Sequence, residues 1–217
     1  MKNKVSIVLS ICILLLLPII FPDTYPFSPF NIGSQGISYF YNNFENITSS
    51  NVTILILMEN INNVTPYLIY LLEGNTIIIT GNYSNVNNFL HKLNADVIIA
   101  PIVLTNNLDY YMNNKIIIVN ESNYTLIFPY AHPIIGGIPL VEVDNNSIIA
   151  YYHYGSGKII IISTPYFFLN GYYKLFNNSE YLHEITGTNK IRIVIYTQVS
   201  PLSEFKEFLQ SLKSLHL

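Results

Sequence analysis

The chain has 217 residues, half of them hydrophobic, with only 11% charged and a net charge of −3. That balance leaves no basic field for nucleic acid, which is excluded as a partner. The single cysteine, Cys12, lies inside an N-terminal apolar run, so the rest of the chain has no disulfide, no thiolate metal site and no cysteine nucleophile.

Lys2 and Lys4 precede an uncharged stretch, residues 5–21. As a helix it reaches about 25 Å, slightly short of the roughly 30 Å hydrocarbon core. It is longer than a signal-peptide core of about 7–15 residues, and no small-x-small cleavage site follows it. Residues 1–24 therefore read as a single-pass membrane anchor through residues 5–21, with a cleaved signal as the alternative. In both cases the positive end stays inside and residues 25–217 form one extracytoplasmic domain at the cell membrane.

The spacing of Ile37, Phe40, Tyr41 and Phe44 predicts a helix within Ser34–Phe44. A strand follows at Val52–Met58, a short helix at Pro66–Leu72, and an apolar strand at Thr76–Thr80. Asn85–Leu93 reads as helix and Asp96–Ala100 as strand. Further strands are expected at Lys115–Val119, Tyr124–Phe128, Leu140–Val143, Ile148–Tyr152, Lys158–Ser163 and Ile191–Tyr196. Glu180–Ile185 reads as the end of a helix. Ser203–Leu215 is an amphipathic helix with Ser203 as its N-cap. Strands without polar alternation, separated by helices, predict an α/β fold: a three-layer sandwich on a mostly parallel sheet, preceded by the N-terminal hydrophobic helix. The middle of the chain reads as an antiparallel insertion or edge.

Gly155-Ser156-Gly157-Lys158 resembles the end of a phosphate-binding loop. Such a loop follows a strand and opens a helix. Here the glycines precede the strand Ile159–Ile162, and Tyr152 stands where the first glycine of the motif belongs. The stretch is a turn between two strands. No nucleotide, and no other cofactor, is expected.

Acceptor sequons N-x-S/T occur at Asn46, Asn51, Asn63, Asn82, Asn120, Asn123, Asn145 and Asn177. This is about twice the number that an Asn-rich composition supplies by chance, and it agrees with an exported domain carrying glycans at several of them. Pro66, just after the sequon of Asn63, makes that site the weakest acceptor.

Three segments, PFSPFNIGSQGISYFY (Pro26–Tyr41), TIIITGNYSNVNNFLHKL (Thr76–Leu93) and YGSGKIIIISTPYFFLN (Tyr154–Asn170), resemble a widespread extracytoplasmic domain family of unknown function. Its members are membrane-tethered, often encoded beside MoxR-type ATPases, and related in fold to class I glutamine amidotransferases. The resemblance implies a flavodoxin-like fold and places Asn170 at a recurrent asparagine. It implies no reaction.

Amidotransferases need a cysteine on a strand-to-helix turn, and none is available here. A serine variant needs G-x-S-x-G, whereas Ser163-Thr164-Pro165 lacks the flanking glycines. Among His91, His132, His153, His183 and His216 no pair has helical metal-ligand spacing, so neither a catalytic set nor a metal site is expected. In an open parallel sheet ligands bind beyond the carboxyl ends of the strands. The residues expected there are Glu59, Gly81, Asn82, Ser163 and Thr164. Asn170 joins them through the family resemblance, and Ser34 and Gln35 through a turn that offers backbone N–H groups. Asn82 is also a sequon, and a glycan on it would cover that crevice. Two readings remain open: a non-catalytic binding or assembly module with a protein partner, and a hydrolase or transferase with an unrecognised site. The tyrosine-rich segments Tyr151-Tyr152-x-Tyr154 and Tyr172-Tyr173 suit sugar stacking or a partner face, but half-buried strand positions explain them better.

Overall fold

The computed structural model describes residues 23–198, 201 and 203–206. The expected N-terminal anchor lies outside them, as does most of the expected C-terminal helix. No helix among the described residues is long and apolar enough to cross a membrane.

Apolar runs of isoleucine, leucine and valine build the centre. Strands β1 (Glu45–Asn46), β2 (Val52–Leu57), β3 (Thr76–Gly81), β11 (Gly157–Ile162) and β12 (Lys190–Tyr196) lie side by side in the order β1-β12-β2-β3-β11, all parallel. Their side chains alternate between two buried faces, which is why their sequences show no polar alternation. On one face Leu55, Leu57, Ile77, Ile79, Ile159 and Ile161 pack under two helices, α2 (Thr65–Leu72) and α3 (Tyr83–Lys92). Pro66 sits in the first turn of α2, where its missing N–H costs nothing. Asn82 caps α3 through its side chain.

The other face carries Ile54, Ile56, Ile78, Ile160 and Ile162. It is covered by Phe40 of α1 (Ser38–Asn43), by Phe167 and Phe168 of a 3-10 turn (Pro165–Phe168), by Tyr173 of α4 (Asn170–Tyr173), and by Tyr181 and Leu182 of α5 (Asn178–Thr186).

A mostly parallel, flavodoxin-like sheet with an antiparallel insertion does not describe this molecule. The fold is mixed and strand-rich. Beyond β11 the same sheet continues through β10 (Asn146–Tyr154), β8 (Ile134–Ile135) and β4 (Ile98–Ile99), with β9 (Ile138–Val143) also on β10, and every one of these contacts is antiparallel. A second, wholly antiparallel sheet is formed by β5 (Tyr110–Tyr111), β6 (Asn113–Glu121) and β7 (Tyr124–Pro129). Its Ile117, Val119, Leu126 and Phe128 enter the same core as α1. Among the described residues four strand pairings are parallel and six antiparallel.

The cause is connection length, since a two-residue loop can join only antiparallel neighbours. Gly155-Ser156 joins β10 to β11, with Gly155 at φ 58°, as the first position of a type II′ turn requires. Asp144 and Asn145, at φ 48° and 62°, join β9 to β10. Asp96–Ala100, read as one more strand of the parallel series, is reduced to the two-residue β4 at the antiparallel edge.

The free edge of β7 is covered by side chains. Asn178 is fully buried, accepts from the Ile127 N–H and donates to the Ile127 carbonyl, both at 2.9 Å. The Asn177 side chain accepts from the Thr125 N–H at 3.0 Å. These asparagines stand in for a neighbouring strand and close the edge to other chains.

The two ends of the described chain meet at Asp23. Its buried carboxylate accepts from the hydroxyls of Ser28 and Ser203. Burial pushes this carboxyl up, but the bonds from Ser203, Ser28 and the Tyr25 N–H, with Lys206 nearby, outweigh it and hold its pKa below the usual value. Ser203 therefore serves Asp23, where the sequence suggests a helix cap.

Candidate functional site

The carboxyl ends of β2, β3, β11 and β12 point toward a group of adjoining hollows. The largest, a cleft of about 750 Å³, is bordered by Phe27, Ser34, Gln35, Tyr111, Tyr130, Tyr166 and Tyr172, among others. A hollow of about 150 Å³ beside it shares Tyr130 and Tyr166 and adds Gly81, Asn82 and His132. Another, of about 240 Å³, shares Phe27 and adds Glu59 at the end of β2 and Thr197 past the end of β12. Met58 borders both small hollows, so the three surround a common rim.

Five of the expected residues therefore border this crevice: Ser34, Gln35, Glu59, Gly81 and Asn82. Gly81 is there for a steric reason. Its φ is 152°, and a Cβ would lie 2.1 Å from the Leu57 carbonyl oxygen. Glu59 is exposed, and its backbone N–H donates to the Tyr196 carbonyl. The His132 ring places Nδ1 3.0 Å from the Ala100 carbonyl oxygen and its plane beside Tyr83.

Ser163, Thr164 and Asn170 lie beneath the crevice, buried. The Ser163 hydroxyl accepts from the His132 N–H at 3.4 Å. Thr164 Oγ1 donates to the Pro129 carbonyl at 2.6 Å and accepts from the Tyr166 N–H, capping the 3-10 turn. Asn170 accepts from the Tyr39 N–H and donates to the Asn31 and Gly33 carbonyls and to Ser38 Oγ, all within 3.0 Å. Asn170 is thus a clamp on the loop before α1. It also occupies the Tyr39 N–H in the first turn of that helix. The helix begins only at Ser38, because residues 28–36 form turns that bond among themselves.

The residues missed from sequence are Tyr111, Tyr130 and Tyr166, which join Tyr172 of the tyrosine pair at the cleft. Burial raises the Tyr172 hydroxyl pKa first, and the nearby Tyr130, Tyr111 and Tyr166 raise it further. Four phenols therefore converge on one space. Tyr130 and Tyr166 rings are 5.5 Å apart, and Phe27 is 6.1 Å from Tyr166. No charged side chain is among the described residues bordering the large cleft.

Backbone strain gathers at the same place. Eight non-glycine residues among those described have positive φ. Four are Asn94, Ser122, Asp144 and Asn145, small polar residues whose side chains suit turns. The other four are bulky: Phe27 at 58°, Met112 at 65°, Tyr130 at 52° and Phe176 at 53°. The first three border the cleft, and Phe176 packs its ring 6.3 Å from Tyr111. Such conformations cost roughly 1–3 kcal/mol each and collect where a protein holds side chains for a purpose.

Seven sequon asparagines, Asn46, Asn51, Asn63, Asn82, Asn120, Asn123 and Asn145, are exposed. Asn177 is half-buried against β7. Asn82 Oδ1 accepts from the Ser84 N–H and hydroxyl, a cap that uses only its oxygen. Among the described residues no group of His, Asp or Glu side chains forms a metal cradle.

No known protein family and no curated protein matches this chain. A solved structure does resemble it. That structure, titled mmIFT52 N-terminal domain, superposes with a TM-score of 0.50 over 69% of this chain and 86% of its own, at 14% identity. At that identity the likeness concerns the fold alone.

Proposed function

We propose that the chain is a membrane-anchored extracytoplasmic glycoprotein whose folded part is a non-catalytic binding module, with the crevice at the strand ends as its binding site. One observation carries the reading. The buried polar side chains under the crevice, Ser163, Thr164 and Asn170, are bonded to the protein itself, while the open cleft presents aromatic rings and no charge. A cleft of this size and character suits holding a ligand in place. General acid–base chemistry needs titratable groups near the reacting atoms.

The competing reading, a hydrolase or transferase, draws on Glu59 and His132, which border hollows that meet at Met58. The test is turnover of chromogenic ester, amide and glycoside substrates by the full-length protein. No turnover is expected. Turnover abolished by Glu59→Gln or His132→Ala would replace the binding module with an enzyme. Protease treatment of intact cells, which should degrade the domain while sparing cytosolic markers, checks the location separately.

A further inference from the structure

We propose that the large cleft is a site for a neutral saccharide, with Tyr111, Tyr130, Tyr166 and Tyr172 as its stacking faces and hydroxyl contacts; this deepens the binding-module reading above and rests on it.

Some tyrosine hydroxyls of the molecule are bonded to the protein: Tyr70 to the Ser50 carbonyl and Tyr154 to the Leu93 carbonyl, both at 2.6 Å, Tyr67 to Tyr196, and Tyr173 to Asn43. The hydroxyls of the four cleft tyrosines have no hydrogen-bond partner among the described residues, although they lie close enough to raise the pKa of Tyr172. Four hydroxyls left open and facing one space present a cluster of donors and acceptors to something outside the chain.

The chemistry of that occupant follows from the lining. No charged side chain among the described residues borders the cleft, which disfavours an anionic or cationic ligand, whose charge would be desolvated without compensation. Rings with hydroxyl edges, together with Ser34 and Gln35, match a molecule that alternates apolar C–H faces with hydroxyl groups. A pyranose has that alternation. The volume of about 750 Å³ lies inside the roughly 300–1,000 Å³ range of ligand sites and accommodates a short oligosaccharide. The left-handed backbone at Phe27, Met112 and Tyr130 fits a lining held in position before the ligand arrives.

Two sources can supply the sugar. One is an external saccharide. The other is the chain's own glycan on Asn82, since that residue borders the hollow that shares Tyr130 and Tyr166 with the cleft.

The experiment is calorimetric titration of the full-length protein, in a detergent without a sugar headgroup, with neutral gluco-, manno- and N-acetylglucosamine hexasaccharides. Polygalacturonate and decaproline serve as anionic and peptide probes. The protein is used both with its native glycans and without any. The glycan-free protein should bind at least one neutral hexasaccharide, and Kd should rise at least tenfold in Tyr130→Ala and in Tyr172→Ala. Tyr70→Phe should leave Kd unchanged. Tyr130 is 39% exposed, so its variant keeps the test alive should Tyr172→Ala fail to fold. Equal binding by both forms identifies an external saccharide. Binding by the glycosylated form only after Asn82→Gln identifies the chain's own glycan. No neutral hexasaccharide bound by either form, or binding indifferent to both tyrosine variants, overturns the proposal. Tyrosine-dependent binding of decaproline in place of sugar also overturns it, yet leaves the binding module standing, whereas substrate turnover would sink that module itself.

Discussion

Tyr70 and Tyr154 sit at the amino end of the parallel strands, and Tyr130 and Tyr172 border the crevice at the carboxyl end. The first pair close their hydroxyls onto backbone carbonyls and hold loops to the sheet. The second pair have no partner among the described residues. One residue type therefore does two jobs at the two ends of one sheet. The difference lies in what each hydroxyl faces, a property of the folded molecule that local sequence does not carry.

The largest effect sought is on the satisfied side. Asn170→Ala leaves the Tyr39 N–H and the Asn31 and Gly33 carbonyls without their present partners in a buried place. Its cost should be about 3 kcal/mol or more in urea unfolding. A cost under about 1 kcal/mol would show that the clamp is dispensable and would return Asn170 to the list of ligand residues.

Alkali should weaken the protein next. Burial pushes the hydroxyls of Tyr173 and Tyr181 up to about 12, from an ordinary value of 10. Folding therefore favours their protonated forms. The stability this supplies is complete below pH 10 and is lost as pH rises from 10 toward 12, on the order of 2 kcal/mol for each group. Urea midpoints taken across that window should fall steadily, and a flat profile would contradict their burial.

A smaller contrast compares the two ends directly. Tyr154→Phe should cost about 1 kcal/mol by removing the bond to the Leu93 carbonyl, while Tyr172→Phe should change stability by less than about 0.5 kcal/mol. Equal costs would mean that the cleft hydroxyls are structural after all. The smallest effect has the opposite sign. Met112 is 82% exposed at φ 65°, so Met112→Gly relieves a left-handed backbone with little loss of packing. It should stabilise by up to about 1 kcal/mol and loosen ligand binding.

The central strands were legible because runs such as Ile77–Ile79 and Ile159–Ile162 are apolar without interruption, which a strand buried on both faces requires. The turn at Gly155 was legible from the order of glycines and strand. The mixed sheet was not. The Gly155 turn implied that Ile148–Tyr152 and Lys158–Ser163 run antiparallel, but apolar runs read alike in either sense and did not reveal that β9, β8 and β4 extend the same sheet. The location of the crevice followed from the strand ends and brought Ser34, Gln35, Glu59, Gly81 and Asn82 together. Ser163, Thr164 and Asn170 belong to the same sequence neighbourhood but face inward, and one residue of register separates lining from core. The tyrosines come from four different places, β5, the turn after β7, the 3-10 turn and α4, so nothing in their spacing announces that they converge.

The central claim is that the carboxyl-end tyrosines, and not the amino-end ones, meet a ligand. Nitration with tetranitromethane, read by peptide mass spectrometry with and without a saturating neutral hexasaccharide, tests this residue by residue. Protection should fall on Tyr111, Tyr130, Tyr166 and Tyr172, with Tyr70 and Tyr154 unchanged. Nitration of the cleft tyrosines that the sugar leaves unaltered, or protection confined to other tyrosines, would contradict the account.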